Sequence, residues 1–195
     1  MIRTIGRTIL GVVVLTLIFG IAYPVVMTGI AQVAFSDTAN GSLIRVNGTT
    51  VGSKLAAQGF TGAGYFHERP SATVPAYNAM GTTFSNLGPT SDALRTQVRD
   101  QIAAVMKAEG PYNPGLRVGD IPVDAVTTSG SGIDPDISPA YARLQARRVA
   151  AVRHLSLSTV EQLISRYTDG RFIGLFGEPG VNVLELNLAL DRIGH

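Results

Sequence analysis

Residues 8 to 36, from Thr8 to Ser36, carry no charged side chain, the longest such stretch in the sequence, and their centre from Ile9 to Ile30 is apolar. That centre carries Ile9-Leu10, Val12 to Leu15, Leu17 to Phe19, Ile21 and Val25 to Met27. A helix needs about 20 such residues to cross a ~30 Å hydrocarbon core, and a lone segment can satisfy its backbone there only as a helix. The pattern predicts a transmembrane helix over residues 8–34, kinked at Pro24, with Tyr23 and Phe35 near the interfaces. A cleaved signal peptide is the competing reading, but its apolar core is only ~7–15 residues long, and this run is longer. Arg3 and Arg7 precede the run, and the first charge after it is Asp37. That asymmetry predicts a cytoplasmic N-terminus and an extracytoplasmic segment 37–195.

After a small polar tether, Asp37 to Ser42, the period changes. Leu43 to Val46, then Asn47-Gly48, then Thr49 to Val51 predicts a hairpin, because Asn-Gly is the strongest two-residue turn signal. The Asn47-Gly48-Thr49 glycosylation pattern is accounted for by the same turn. From Arg69-Pro70 to Pro89 the chain is irregular, and a connection of that length is usually functional or covered. Thr90-Ser91 starts a helix with Leu94, Val98, Ile102, Val105 and Met106 inward, stopped by Gly110-Pro111. Ile121 to Thr127 reads as a short β-rich run.

Ser138-Pro139 opens a second helix of the soluble part, running to His154, with Tyr141, Leu144, Val149 and Val152 inward. Ser158 and Glu161 suggest a capping box for a third, stopped at Gly170. Phe172 to Phe176 reads as a buried strand. Val181 to Leu190 reads as another, since leucines at 184, 186, 188 and 190 alternate with other residues. Three helices and at least three short strands, not in strict alternation, predict a single soluble α+β domain over 37–195.

Charge changes the picture in one respect. Of 16 Lys plus Arg and 14 Asp plus Glu, only Arg3 and Arg7 precede residue 37, so the soluble part balances at 14 against 14. A neutral domain gives nucleic-acid binding no electrostatic warrant. The absence of cysteine excludes disulfides, thiol nucleophiles and Cys-ligated zinc.

Candidate chemistry is sparse. No P-loop is present, and no serine is followed by lysine three positions on. Ser131 has glycine neighbours, but Ser129 stands where a nucleophile elbow needs its first glycine. His67, His154 and His195 do not pair at metal-ligand spacing, and His154 fits a helix C-terminus. Ser129-Gly130-Ser131-Gly132 with Asp134 and Asp136 is the most informative soluble segment. Its backbone N–H groups suit an anion nest, while Asp134 and Asp136, with Asp124 and Glu178 if folded nearby, suit cations. Taken from the residues alone, the favoured reading is a plain connection between strand and helix, with Asp134 or Ser138 capping the helix. Arg143, Arg147, Arg148 and Arg153 read mostly as a solvated helix face, although Arg147 and Arg148 cannot both face the same way as Arg143.

Taken together, the motifs resemble the KdpC family, one of the components of the bacterial Kdp potassium-transporting P-type ATPase, over essentially the whole chain. The resemblance rests on Gly41 to Ile44, Tyr65-Phe66 with Arg69 to Ala72, and Ser85 to Pro89. It continues in Ile121 to Asp124, Ser129 to Pro135, Ile137 to Pro139, Gly177 to Pro179, Val181 to Leu184 and Leu186 to Asp191. Three places depart from the family's usual pattern: Thr82-Thr83-Phe84 replaces Ser-Gly-Gly, Asp136 replaces a histidine, and Gly180 replaces an arginine.

The resemblance implies an accessory, non-catalytic subunit of a high-affinity potassium uptake complex in the plasma membrane. Potassium translocation and ATP hydrolysis then belong to partner subunits, with a further small membrane subunit. The family is described as a catalytic chaperone that raises the hydrolysing subunit's ATP affinity, with no cofactor firmly bound to this chain. Gln145 matches a glutamine sometimes given a nucleotide role, whereas Ser129, Gly130, Ser131, Gly132, Asp134 and Asp136 are candidate partner or cation contacts. The alternative is a stand-alone membrane-anchored solute-binding domain or hydrolase.

Overall fold

The computed structural model describes residues 2–193, which fall into two compact units, one ending at Leu43 and the other beginning at Ile44. The first unit is a continuous helical rod, Ile2–Ala34, the one helix among the described residues long and apolar enough to cross a membrane. At 1.5 Å per residue its 33 residues reach about 50 Å. It comprises α1 (Ile2–Leu17), a π-helical turn (Ile18–Ala22) and α2 (Tyr23–Ala34). Tyr23 N–H donates to Ile18 O across the wider turn. Pro24 has no N–H for the α-helical bond to Gly20, and the π turn just before it absorbs that mismatch. A one-turn helix, α3 (Ser36–Ala39), follows.

The predicted hairpin comes next, with strands β1 (Leu43–Val46) and β2 (Thr49–Ser53). Asn47 and Gly48 both adopt positive φ, 51° and 81°, as a type I′ turn requires. No helix or strand then forms until α4 (Asp92–Glu109), capped by Ser91, whose hydroxyl accepts from Leu94 N–H.

Strand β3 (Asp136–Ile137) leads into α5 (Pro139–Arg153), where the Ser138 hydroxyl caps Tyr141 N–H and His154 ends the helix in the left-handed region at φ 56°. Next come α6 (Leu157–Arg166), β4 (Thr168–Asp169), β5 (Gly180–Asn182) and α7 (Val183–Ile193). β5 is the centre of an antiparallel sheet ordered β3-β5-β4, with Ile137 and Thr168 both opposite Val181. The core lies where α5, α6 and α7 meet this sheet, around Ile137, Val149, Val160, Ile164, Leu186 and Leu190. The α+β class holds.

Several elements differ from the pattern-based expectation. Ile121 to Thr127 is not a strand: it follows one tight turn, Val118–Asp120, and contains another, Val123–Ala125; Pro122 removes a donor there, and Thr127 Oγ1 bonds back to Val123 O at 2.8 Å. The cap of α6 is Ser156, not Ser158, with Thr159 N–H on its hydroxyl at 3.1 Å.

After Asn182 the chain becomes a helix rather than a strand. Asn182 Oδ1 accepts Glu185 N–H, so a cap overrides the leucine alternation, and the buried set Val183, Leu184, Leu186, Asn187 and Leu190 follows helical spacing. Phe172 to Phe176 is an exposed loop, not a buried strand.

Candidate functional site

Four buried polar side chains define the centre of the soluble unit. Gln145 and Arg148 lie three residues apart on the inward face of α5, Glu109 ends α4, and Asn187 lies on the core face of α7. All four are at most 3% exposed. Asn187 holds Phe66 at both backbone groups, accepting its N–H at 2.8 Å and donating to its O at 2.9 Å. Gln145 does the same to His67, at 2.8 and 3.0 Å. Arg148 donates to the carbonyls of Ala63 and Tyr65, to Gln145 Oε1 and to Glu109 Oε1. A segment with no regular structure is thereby satisfied where it passes into the core at Phe66; an unpaired backbone group buried there would cost about 1–3 kcal/mol.

Arg148 Nε lies 2.8 Å from Glu109 Oε1, but Glu109 Oε2 is buried without a hydrogen-bond partner among the described residues. Burial therefore pushes the Glu109 carboxyl above its ordinary range, with Arg148 opposing the shift. Glu109 borders a cleft of about 410 Å³ together with Phe60, Glu68, Tyr77, Val105 and Tyr141. Burial also raises the Glu68 carboxyl, against the backbone N–H groups of Gln58 and Phe60 that it accepts. The Tyr77 hydroxyl is pushed up to about 12 by burial, aided by Glu68. His67 is driven toward its neutral form by burial and by the Arg148 charge.

The segment Ser129 to Asp136 is tied down by the irregular stretch after residue 69. Arg69 donates to the carbonyls of Thr127 and Thr128 and pairs with Asp134 at 3.1 Å. Ser71 Oγ donates to Gly132 O at 2.6 Å and accepts Tyr77 N–H at 3.0 Å. Two N–H groups that an anion nest would offer are already engaged: Gly132 N–H on Ser129 Oγ, and Ile133 N–H on Ser131 Oγ. Gly132 has φ 73°, and a Cβ there would lie 2.7 Å from both Thr73 Cγ2 and Thr83 O. Glycine is required at this position by conformation and by space.

Asp124, Asp134, Asp136 and Glu178 do come together, lining one cleft of about 420 Å³ with Arg69. Asp124 accepts both Ser138 N–H and Ser138 Oγ–H, Asp136 accepts from Asn182, and Glu178 pairs with Arg171. Burial raises the Asp136 carboxyl, with the Asn182 bond opposing. Among the described residues no His, Asp or Glu group of three is arranged to hold a metal ion.

Gln145, the nucleotide candidate, is fully buried, with its amide engaged by His67 and Arg148. His154 is the left-handed cap of α5, and His195 lies outside the described residues. Arg143 and Arg147 are exposed, but Arg148 is not part of that solvated face. The signal for its burial is in the spacing: Arg148 follows Tyr141 by seven positions and Leu144 by four, which places it on the inward face.

An apolar helix of membrane-spanning length joined to an α+β unit defines the class: among the described residues, one candidate membrane span is followed by a soluble α+β unit. Residues 5–192 match the family described as KdpC: K+-transporting ATPase, c chain. The chain is 51% identical to the potassium-transporting ATPase KdpC subunit of Paraburkholderia phytofirmans over 183 residues, 93% of each chain. It is 50% identical to that of Rhodospirillum rubrum, covering 98% of this chain and 97% of the relative. It is also 50% identical to that of Methylococcus capsulatus, covering 99% and 100% respectively. The chain belongs to the KdpC family of the K+-transporting ATPase.

Proposed function

We propose that this chain is an accessory subunit that supports assembly and ATP-coupled transport in a potassium uptake complex, with its N-terminus cytoplasmic and its soluble domain outside. The observation that carries this reading is how the buried polar side chains are used. Arg148, Gln145 and Asn187 hold backbone, and Arg69 and Ser71 brace the Ser129 segment. The domain thus offers a braced shape for docking, while potassium translocation and ATP hydrolysis fall to the potassium-translocating and ATP-hydrolysing subunits. In this orientation an influence on ATP affinity travels through contacts between subunits and the membrane helix, with no nucleotide on Gln145.

The test is purification of the intact membrane complex with and without this chain, with potassium-stimulated ATPase activity as readout. The reading expects loss of complex or of potassium stimulation when the chain is absent. Full assembly and full stimulation without it would refute the proposal. A second reading, a solute-binding domain, is favoured by the cleft beside Glu109; it predicts that the detergent-solubilised chain alone retains a small solute through gel filtration.

A further inference from the structure

Four large apolar side chains stand in water at the tip of the loop between β4 and β5. Phe172, Ile173, Leu175 and Phe176 are 66–74% exposed, although they belong to one five-residue turn. The turn itself is well made. Phe172 and Phe176 exchange N–H···O bonds of 2.8 and 3.0 Å, and Leu175 N–H closes a β-turn on Phe172 O at 3.1 Å. Arg171 spans both oxygens of Glu178 at its base, 2.9 Å from each.

Ile173 has φ 54° and Gly174 φ 73°, so both central residues lie in the left-handed region. The same chain makes a comparable turn at Asn47-Gly48, with the residue pair that such turns favour. At 173 it instead places a β-branched residue where φ > 0 is a genuine outlier. Strain of this kind collects at functional sites, where the side chain matters more than the ease of the turn.

We propose that this tip is the docking anchor of the soluble domain, inserting into a neutral, apolar socket on another subunit of the complex. The proposal rests on the assembly reading above and adds the surface and the chemistry of its partner. Taking about 150–250 Å² per large side chain, the tip exposes roughly 500 Å² of apolar surface. That is near the top of what a monomer normally shows, ~300–600 Å², and more than half of one partner's ~800 Å² share in a standard interface.

Three features select a protein socket over other occupants. Lipid headgroups reward cations beside the apolar residues, and the cation at the base, Arg171, is already paired with Glu178. Acyl chains need no fixed shape, whereas the bridged turn fixes the direction of every side chain. A two-fold contact centred on the tip would set one convex surface against another.

The chain has no cysteine, so Leu175→Cys can carry a single environment-sensitive fluorophore on the full-length protein in lipid nanodiscs. The proposal expects the probe to report water in the chain alone and an apolar surrounding once the complex is assembled. Ile173→Asn, which suits the left-handed conformation, should leave the melting temperature unchanged or raise it by ~2–4 °C, yet lower recovery of the complex at least tenfold. An apolar signal in the chain alone at every protein density means lipid, and one that grows with density means self-association; either overturns the proposal. A probe that stays in water in an assembled complex, or an Ile173→Asn chain recovered at the wild-type level, also overturns it. If the wild-type chain itself fails to co-purify, the assembly reading falls and the socket with it; co-purification with a wet probe sinks the socket alone.

Discussion

Gly180 lies directly against Asp136: a Cβ added to the glycine would sit 3.3 Å from Asp136 Cβ and 3.5 Å from its carboxyl carbon. β3 and β5 bring the two together in the acidic cleft. Arg69 and Arg171 offset Asp134 and Glu178, so the cleft keeps a local negative excess carried by Asp124 and Asp136. Such a field acts over about one Debye length, ~8 Å at physiological salt. Asp134→Asn combined with Asp136→Asn is expected to raise the apparent potassium KM more at low salt than at high salt, with assembly intact. An unchanged KM at both salts would reduce these carboxylates to structural caps.

The segment around Gly132 is expected to respond to shape rather than to hydroxyl chemistry. Gly132→Val meets both positive φ and two 2.7 Å contacts, at an expected cost of about 2–5 kcal/mol. Ser131→Ala loses a 3.2 Å bond from Ile133 N–H and a long 3.4 Å hydroxyl contact with Ser129 Oγ, about 1–2 kcal/mol in all. Denaturant unfolding and potassium-limited growth should rank the two in that order. The reverse order in growth would point to a reacting hydroxyl.

Arg148→Met leaves Glu109 as an unpaired buried charge and releases two loop carbonyls, an expected loss of about 3–5 kcal/mol. Glu109 itself sets a pH dependence. Its raised carboxyl makes the folded state hold more protons than the unfolded one between the ordinary value of 4.5 and the raised one. The stabilising contribution is therefore full below 4.5 and lost as pH rises through the folded value. Wild-type stability minus that of Glu109→Gln should fall through this window and then level off. A difference that is flat from about pH 4 to about pH 8 contradicts the shift.

The proposed topology is open to protease. Added to intact spheroplasts, protease should digest the domain beyond Asp37 and spare the helix. Full protection of the domain, or a mature N-terminus near Gln32, would contradict the orientation or the retained anchor.

What the sequence disclosed, it disclosed through local signals. The apolar run, the Asn47-Gly48 turn and the Ser91 and Ser138 caps each depend on neighbours within a few residues, and each formed as read. The differences came partly from local caps that a stronger period masked and partly from groups distant in sequence. Leu184 to Leu190 alternates like a strand, but the cap from Asn182 and the burial of Asn187 against Phe66 make it a helix. Phe172 to Phe176 is apolar enough for the core, yet its turn faces water. The four acidic residues could be named from the sequence, but only β3 beside β5 shows that they line one cleft.

The grip of Asn187 on Phe66 also bears on the order of synthesis. Phe66 emerges 121 residues before the side chain that satisfies both of its backbone groups. Until α7 has left the ribosome and docked, the early segment has no way to bury Phe66 without stranding two polar groups. The front half of the domain therefore waits for the back, and a stop codon placed before Asn187 yields a chain that fails as a whole rather than one missing its tail.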